Sequence, residues 1–371
     1  MRVGVLTSSR ADYSIYLPLL KQLQSDPFFD LKLIAFGTHL SEKFGKTVTQ
    51  IKSDGFEVPY GIETVLEGDS PADISHMIGQ TIIKFSDFWS KEKFDLILAL
   101  GDRFEMFAAV TASVPFQIPV AHIHGGETTT GAIDNIFRHS ISLMSQLHFV
   151  TAEQYKARLI QLLGYDTNIY NVGALSLDNI RSLELLSKED FKSKFDIDLN
   201  LPTILSTFHP ETVAFEQNEK HTEEYLSALS ALTAYQIVIT MPNADTYGNM
   251  VRQRILDFAK SHSHIKTVES FGTLGYLTCM NYSAFVLGNS SSGFYDAAFF
   301  PKWVINIGDR QQGRIVTPNI INCAINAKEI LTAVKKIELS KNIELPACIY
   351  GDGHAAEKIV QILKDKSNKT F

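Results

Sequence analysis

Cysteine is scarce in this chain: Cys279, Cys323 and Cys348 are the whole complement of 371 residues. An odd number, without the short spacings of a zinc site or a redox pair, argues against a disulfide scaffold and reads as buried, reduced thiols of a cytosolic protein. Long apolar runs are missing as well. None approaches the ~18 residues of a membrane span, and Met1-Arg2-Val3-Gly4-Val5-Leu6 passes into polar Thr7-Ser8-Ser9-Arg10 too soon for a signal peptide. The expected setting is cytoplasmic, with no membrane partner. Basic residues are the minority, 34 Lys and Arg against 41 Asp and Glu, for a net charge of −7 with no basic block. That excludes a general nucleic-acid binder but leaves room for a local basic pocket for phosphate. Glycine is absent from the turn after the first predicted strand, Thr7-Ser8-Ser9-Arg10-Ala11-Asp12-Tyr13-Ser14. The G-x-G-x-x-G fingerprint is therefore missing, which argues against an ordinary nicotinamide dehydrogenase. Arg10 in that turn suggests an anion contact instead.

What is present is an alternation of strand and helix patterns. Residues 3–6, 31–36, 96–100, 120–123 and 148–150 read as strands, with helices over 16–24 and 74–90 between them. Residues 168–173 end this series. The pattern restarts at 203–207, followed by a helix at 223–232 and strands at 237–240, 265–268, 284–287 and 304–307. Residues 187–198 between the halves read as a polar helix or linker. Alternation of this kind means βαβ units and parallel sheets. The length exceeds what one core usually serves. The predicted fold is α/β, with two Rossmann-like domains and a cleft between them. The N-terminal domain takes residues 1–175, joined by a returning C-terminal helix within 354–371, and the second takes 176–353.

The chemistry concentrates in residues 94–138. Leu96-Ile97-Leu98-Ala99-Leu100 stops at Gly101-Asp102-Arg103-Phe104-Glu105, and Ile118-Pro119-Val120-Ala121 stops at His122-Ile123-His124-Gly125-Gly126-Glu127. Apolar runs of this kind are strands buried on both faces, and ligands of parallel sheets sit outside the carboxyl ends of their strands. Asp102, Glu127 and Asp134 are thus delivered to one crevice, with Arg138 and His139 following. Three carboxylates beside His and Arg suit proton transfer on an anionic substrate. His122 and His124 share a strand face. They lack a third ligand for a metal, and orienting the carboxylates or a substrate hydroxyl is the better reading.

The clearest anion site is Gly288-Asn289-Ser290-Ser291-Ser292-Gly293, after a strand and before a helix. Small residues let backbone N–H groups approach a phosphate at the helix N-terminus; the alternative is a serine-rich cap. Asp296, a turn on, is either a ribose acceptor or a helix-dipole carboxylate. Arg310 and Arg314 in Ile307-Gly308-Asp309-Arg310-Gln311-Gln312-Gly313-Arg314 are either anion contacts or part of a solvated loop. His209, in Thr207-Phe208-His209-Pro210-Glu211, and Asn243 and Asp245, in Met241-Pro242-Asn243-Ala244-Asp245, follow strand ends of the second half. For His209 a structural role and a site role both stay open.

Ser9-Arg10-Ala11-Asp12-Tyr13-Ser14, Gly101-Asp102-Arg103-Phe104-Glu105, His122-Ile123-His124-Gly125-Gly126-Glu127, the serine loop and Arg310-Gln311-Gln312-Gly313-Arg314 occur in that order at strand ends. Together they resemble the UDP-N-acetylglucosamine 2-epimerases, in particular the hydrolysing branch of sialic-acid and related nonulosonate synthesis. The resemblance runs from about Arg2 to the last helix. It implies a glycosyltransferase-B-type fold with the active site between the halves. It also implies two steps: loss of the C2 proton as UDP departs, leaving 2-acetamidoglucal, then hydration to N-acetylmannosamine. By motif matching Asp102, Glu127 and Asp134 carry the acid/base chemistry and His209 lies near the leaving phosphate. Arg10, Ser14, Arg103, Asn243, Ser290, Ser291 and Asp296 hold UDP, with His124, Asp245, Ser292, Arg310 and Arg314 as further candidates. His124 stands where some relatives carry a catalytic glutamate, and Asp296 where relatives usually carry a glutamate. The segment 129–132 runs one residue longer than in some relatives. No cofactor and no metal are implied, and the expected partners are the UDP-sugar and, through the resemblance, further copies in a homo-oligomer (dimer or tetramer).

Three alternatives stand beside this reading. One is the same reaction on a UDP-2,4-diacetamido-2,4,6-trideoxyglucose, toward legionaminic-type acids. A glycosyltransferase of the same fold would have little use for three clustered carboxylates. A non-catalytic nucleotide-sugar-binding regulator would have no need of Asp102, Glu127 and Asp134 intact.

Overall fold

A computed structural model describes residues 1–64, 68–211, 215–242, 248–300, 302–340 and 349–367. The chain divides into two units. Unit 1 comprises Met1–Glu127, Asp134–Arg181 and Tyr350–Phe371, and unit 2 comprises Thr128–Ile133 and Ser182–Ile349.

Unit 1 begins β1 (Arg2–Thr7), α1 (Arg10–Ser25), β2 (Asp30–Phe36), α2 (Val48–Ser53), β3 (Tyr60–Ile62) and α3 (Pro71–Trp89). It continues β4 (Leu96–Leu100), α4 (Phe104–Ser113), β5 (Val120–Ile123), α5 (Asp134–Leu143), β6 (Leu147–Val150), α6 (Glu153–Leu163), β7 (Ile169–Asn171) and α7 (Leu175–Ser182). Its sheet has the order β3-β2-β1-β4-β5-β6-β7, with every adjacent pair parallel. All residues of β4, β5 and β6 are buried, as continuous apolar runs require when helices cover both faces.

Unit 2 runs α8 (Lys188–Phe195), β8 (Thr203–Thr207), α9 (Asn218–Ala231), β9 (Gln236–Thr240), α10 (Gly248–Ser261), β10 (Ile265–Val268) and α11 (Gly272–Tyr282). It ends with β11 (Phe285–Gly288), α12 (Ser292–Phe299), β12 (Trp303–Ile307), β13 (Ile320–Cys323) and α13 (Ala327–Leu339). Its parallel sheet has the order β10-β9-β8-β11-β12-β13. The last helix, α14 (Ala355–Ser367), belongs to unit 1.

In each sheet the first strand is flanked by the second and the fourth, so the strand order reverses there. That reversal opens a crevice at the carboxyl ends, the place where such sheets bind ligands. In unit 1 it lies between the ends of β1 and β4, which lead into Ser8-Ser9-Arg10 and Gly101-Asp102-Arg103. In unit 2 it lies between the ends of β8 and β11, which lead into Phe208-His209 and Asn289-Ser290-Ser291.

The expected domain limits were 175/176 and 353/354; in the structure the chain crosses after Arg181 and Ile349. The reason is local. Leu175, Leu177 and Ile180 of α7 are buried, and Asp178 accepts hydrogen bonds from the backbone N–H of Ala355 and Ala356 at 3.0 and 2.7 Å, capping α14. Ile359 and Leu363 of α14 are buried with Tyr16, Leu20 and Leu23 of α1. Two short, partly exposed edge strands, β3 and β13, have no counterpart in the sequence pattern: Tyr60-Gly61-Ile62 centres on a glycine, and Ile320-Ile321-Asn322-Cys323 follows a turn after β12.

Candidate active site

The glycine-free turn after β1 is held by Asp12. Its carboxylate accepts from the backbone N–H of Ser8 and Ser9 at 2.9 and 3.0 Å, from Ser8 Oγ at 2.7 Å and from Thr7 Oγ1 at 2.5 Å. Thr7 Oγ1 also lies 2.8 Å from His39 Nε2, and His39 Nδ1 lies 2.8 Å from Thr47 Oγ1. Burial pushes the Asp12 carboxyl up, but His39, Thr7 and Ser8 outweigh it and hold the group below the ordinary carboxylate range. The two N–H groups that could have cradled a diphosphate are thus directed at Asp12. Its link to Ser9 N–H also starts α1, so that Arg10 is its first helical residue. Ser14 lies one turn on, with Oγ donating to Ala11 O at 3.1 Å. The sequence motif Ser9–Ser14 contains Asp12 without a role for it; the signal for one is the S-x-x-D spacing of a capping box.

At the ends of β4 and β5 the carboxylates converge on one arginine. Arg138 Nη2 pairs with Asp102 Oδ2, and Arg138 Nη1 lies 3.4 Å from Glu127 Oε2. Glu127 is buried and is also approached by His124 Nδ1 at 3.2 Å and Thr151 Oγ1 at 3.3 Å. Arg138 is buried too, an expensive place for a guanidinium unless carboxylates surround it. It lies on α5, four residues after Asp134, the first residue of that helix. The structure therefore gathers Asp102, Glu127, His124 and Arg138, with Asp134 one helical turn from Arg138. The sequence places Arg138 only as a neighbour of the carboxylates; as their common partner it is a central member of the cluster.

Arg103 is turned to Glu105, with Nε and Nη2 donating to the two carboxylate oxygens at 3.1 and 2.9 Å. Burial raises the Glu105 carboxyl despite that partner.

The expectation that His122 and His124 form one pair on a strand face is corrected. His122 is inside β5, whereas His124 lies beyond its end with a left-handed backbone, φ 67°. His122 Nε2 lies 2.8 Å from Gly101 O and Nδ1 2.9 Å from Ser142 Oγ. A carbonyl only accepts, so Nε2 carries the proton. Burial drops the His122 pKa to about 3, keeping the ring neutral. His122 thus anchors the Gly101 turn while His124 faces Glu127. Among the described residues no group of three or more His, Cys, Asp or Glu is gathered to hold a metal ion.

In unit 2, Asn289 clamps the His209 backbone. Its Oδ1 accepts from His209 N–H at 2.7 Å and its Nδ2 donates to His209 O at 2.8 Å. Gly288 has φ 147°, and a Cβ there would run into the Thr207 carbonyl, so the two strand ends close in only because position 288 is glycine. Ser291 immediately precedes α12, and Ser292 Oγ lies 2.5 Å from Tyr276 OH and 3.1 Å from Ser290 Oγ. Asp296 is on α12. The 308–314 segment is no freely solvated loop. Gln311 Nε2 and Arg310 Nη1 donate to Asn289 O at 2.8 and 3.4 Å. Buried Arg314 donates to Gln311 Oε1 at 2.5 Å and Tyr295 OH at 2.8 Å, over the Tyr295 ring. Glu211 Oε1 accepts from Asp309 N–H at 3.1 Å. His209, Ser290, Ser291, Ser292, Arg310 and Arg314 are thus brought to adjoining strand ends. Asn243 and Asp245 lie outside the described residues, as does Cys348.

Two parallel-sheet units, each with polar clusters at its point of strand reversal, define an α/β protein of glycosyltransferase-B type. The crystal structure of Methanocaldococcus jannaschii UDP-GlcNAc 2-epimerase in complex with UDP-GlcNAc and UDP has this fold, with a TM-score of 0.82 at 19% identity over 98% of this chain and all of that one. Residues 21–364 match the UDP-N-acetylglucosamine 2-epimerase family, and the chain belongs to it. It is similar to the GDP/UDP-N,N'-diacetylbacillosamine 2-epimerase (hydrolyzing) of Campylobacter jejuni, with 34% identity over 338 residues, 91% of this chain and 87% of that protein. It is also similar to polysialic acid biosynthesis protein P7 of Escherichia coli, with 31% identity over 371 residues, all of this chain and 90% of that protein. The chain is accordingly a UDP-sugar 2-epimerase by family. Among the described residues no helix is long and apolar enough to cross a membrane.

Proposed function

We propose that the chain is a hydrolysing UDP-N-acetylglucosamine 2-epimerase, releasing N-acetylmannosamine and UDP for synthesis of a sialic-acid-type sugar. In the first step a carboxylate takes the C2 proton while the C1–O bond to UDP breaks, and the electron pair of the C–H bond becomes the C1=C2 bond of 2-acetamidoglucal. In the second, water adds its oxygen to C1, and a proton is delivered to C2 from the opposite face. The observation that carries this reading is the joining of Asp102 and Glu127 by the Arg138 guanidinium. Two carboxylates held together but tied to one cation can exchange protons with a substrate without scattering under mutual repulsion. Asp102, Glu127 and Asp134 share the acid and base roles, and His124 orients Glu127.

Unit 2 takes the leaving group. The serine loop and the N-terminus of α12 offer N–H and O–H donors to the phosphates, and His209 acts at the leaving phosphate. Ser290 and Ser291 contact UDP, with Ser292, Arg310 and Arg314 supporting them, and Asp296 completes the nucleotide contacts of the described residues; Asn243 and Asp245 remain candidates by their motif alone. From unit 1, Arg10, Ser14 and Arg103 add to the UDP contacts. Proton transfer supplies typically ~10²–10⁴-fold, so positioning and stabilisation of the departing diphosphate must supply the rest.

A second sugar has a specific observation in its favour: the 34% identical relative is named for N,N'-diacetylbacillosamine. It would place an acetamido group at C4 and a methyl at C5 in the same site. One experiment addresses both the reaction and the sugar. UDP-N-acetylglucosamine and its 4-acetamido-6-deoxy analogue are each incubated with the protein in deuterated water and followed by NMR. The expected result is free UDP and a manno-configured sugar with deuterium at C2. Retention of the original C2 hydrogen would rule out elimination, and turnover of only the analogue would reassign the substrate.

A further inference from the structure

The chain leaves unit 1 at Glu127, spends the six residues Thr128–Ile133 in unit 2, and returns to unit 1 at Asp134. The two ends of this excursion are thus two of the three candidate acid/base carboxylates. The excursion is a seated strap. Ala132 N–H donates to Thr129 O at 3.0 Å, closing a tight turn. Thr130 at its tip grips Gln312: its N–H donates to Gln312 O at 2.9 Å, and its Oγ1 lies 3.2 Å from that oxygen and 3.0 Å from Gln312 Oε1. Gly131 lies so flat against Asp309 and Arg310 that a Cβ there would run into the Asp309 carbonyl. Thr128, Thr129 and Ala132 are buried.

The seat is not an isolated loop. Gln311, next to Gln312, donates to Asn289 O, and Asn289 clamps His209 and leads into Ser290. The strap therefore rests on the same framework that shapes the serine loop. Its covalent neighbours, Glu127 and Asp134, are restricted in reach by where the strap sits.

We propose that the Thr128–Ile133 strap positions the acid/base carboxylates, with Thr130 and Gly131 as its positioning residues. Seating the strap on the 308–314 loop fixes the two points at which the chain passes into Glu127 and out to Asp134. This rests on the functional reading above. Neither residue touches the substrate; each acts through the carboxylates at the strap's ends. A misplacement of about 1 Å can cost ~10²-fold in rate, so a six-residue tether with a fixed seat is a strong lever on turnover.

The test compares Gly131→Ala, which blocks the seat, Thr130→Val, which removes the hydroxyl and keeps the shape, and Thr130→Ser, which restores the hydroxyl. Hydrogen exchange without ligand is read over residues 134–143, turnover is measured with both UDP-sugars, and UDP affinity is measured by calorimetry. Gly131→Ala and Thr130→Val should exchange faster over 134–143. They should lose turnover by ~10²-fold and roughly tenfold respectively, with UDP affinity kept, and Thr130→Ser should match the parent. Unchanged exchange, unchanged turnover, or equal loss of turnover and UDP affinity would overturn the proposal. If Gly131→Ala does not fold, the Thr130→Val and Thr130→Ser pair decides. If the parent turns over neither sugar, the functional reading fails, and the exchange data alone decide the strap.

Discussion

At the residue scale, one cation organises the carboxylates proposed for acid/base chemistry. Arg138 is buried, touches both Asp102 and Glu127, and leaves His124 and Thr151 to hold the other oxygen of Glu127. The division of labour between the units is testable by near-isosteric changes. Asp102→Asn and Glu127→Gln remove a basic oxygen while keeping the shape, and should lower turnover by ~10²-fold or more with UDP still bound. Ser290→Ala and Arg10→Ala remove two proposed donors to the diphosphate and should weaken UDP by roughly tenfold or more. Calorimetric titration of UDP into the four variants, beside their turnover, checks this. Equal loss of UDP affinity in all four would abolish the assigned roles.

At the element scale, β5 and β6 bury two histidines side by side. His122 and His148 are register partners, and both are fully buried. Neither ring nitrogen of His148 has a hydrogen-bond partner among the described residues. Burial lowers the His148 pKa from 6.5 to about 4. The folded state therefore binds its proton less readily than the unfolded chain. Stability from this group is fully present above pH 6.5 and is lost as the pH falls from there toward 4. The pKa gap corresponds to something on the order of 3 kcal/mol. Urea midpoints measured between pH 7 and 4 should fall more steeply in the parent than in His148→Leu. Parallel profiles would mean that His148 contributes nothing to acid sensitivity.

At the scale of the whole molecule, unit 1 is completed by Tyr350–Phe371, and Asp178 of α7 stands 177 residues before Ala355, from whose N–H it accepts. Asp178 caps α14, and Leu363 fills the core beside α1. Loss of such a cap costs about 1 kcal/mol, and a buried Leu→Ala change about 2–5 kcal/mol. Asp178→Ala and Leu363→Ala should lower the stability of unit 1 by those amounts. Hydrogen exchange should accelerate in α1 and α14 and stay unchanged in β8 to β12. Acceleration in both units alike would mean that the two cores unfold as one.

Periodicity and composition by themselves determined the βαβ alternation, the buried runs of β4 and β5, and the motifs at the strand ends. Those features are local: an apolar run must be covered, and a run that stops at Gly-Asp or His-Gly-Gly-Glu must turn out of the sheet there. The strand order, the Arg138 bridge, the Asp12 clamp and the separate seats of His122 and His124 were decided by the tertiary structure. Arg138 in the sequence is one arginine on an amphipathic helix, and only the adjacency of β4 and β5 brings two carboxylates to it. The edge strands β3 and β13 exist because β2 and β12 offer them hydrogen bonds, and their own residues carry too weak an apolar pattern to show it. The strap is the clearest case. Thr130 and Gln312 are 182 residues apart, and their contact combines a backbone N–H and carbonyl with one hydroxyl and one amide, common groups in the chain, so no local pattern of side chains announces it.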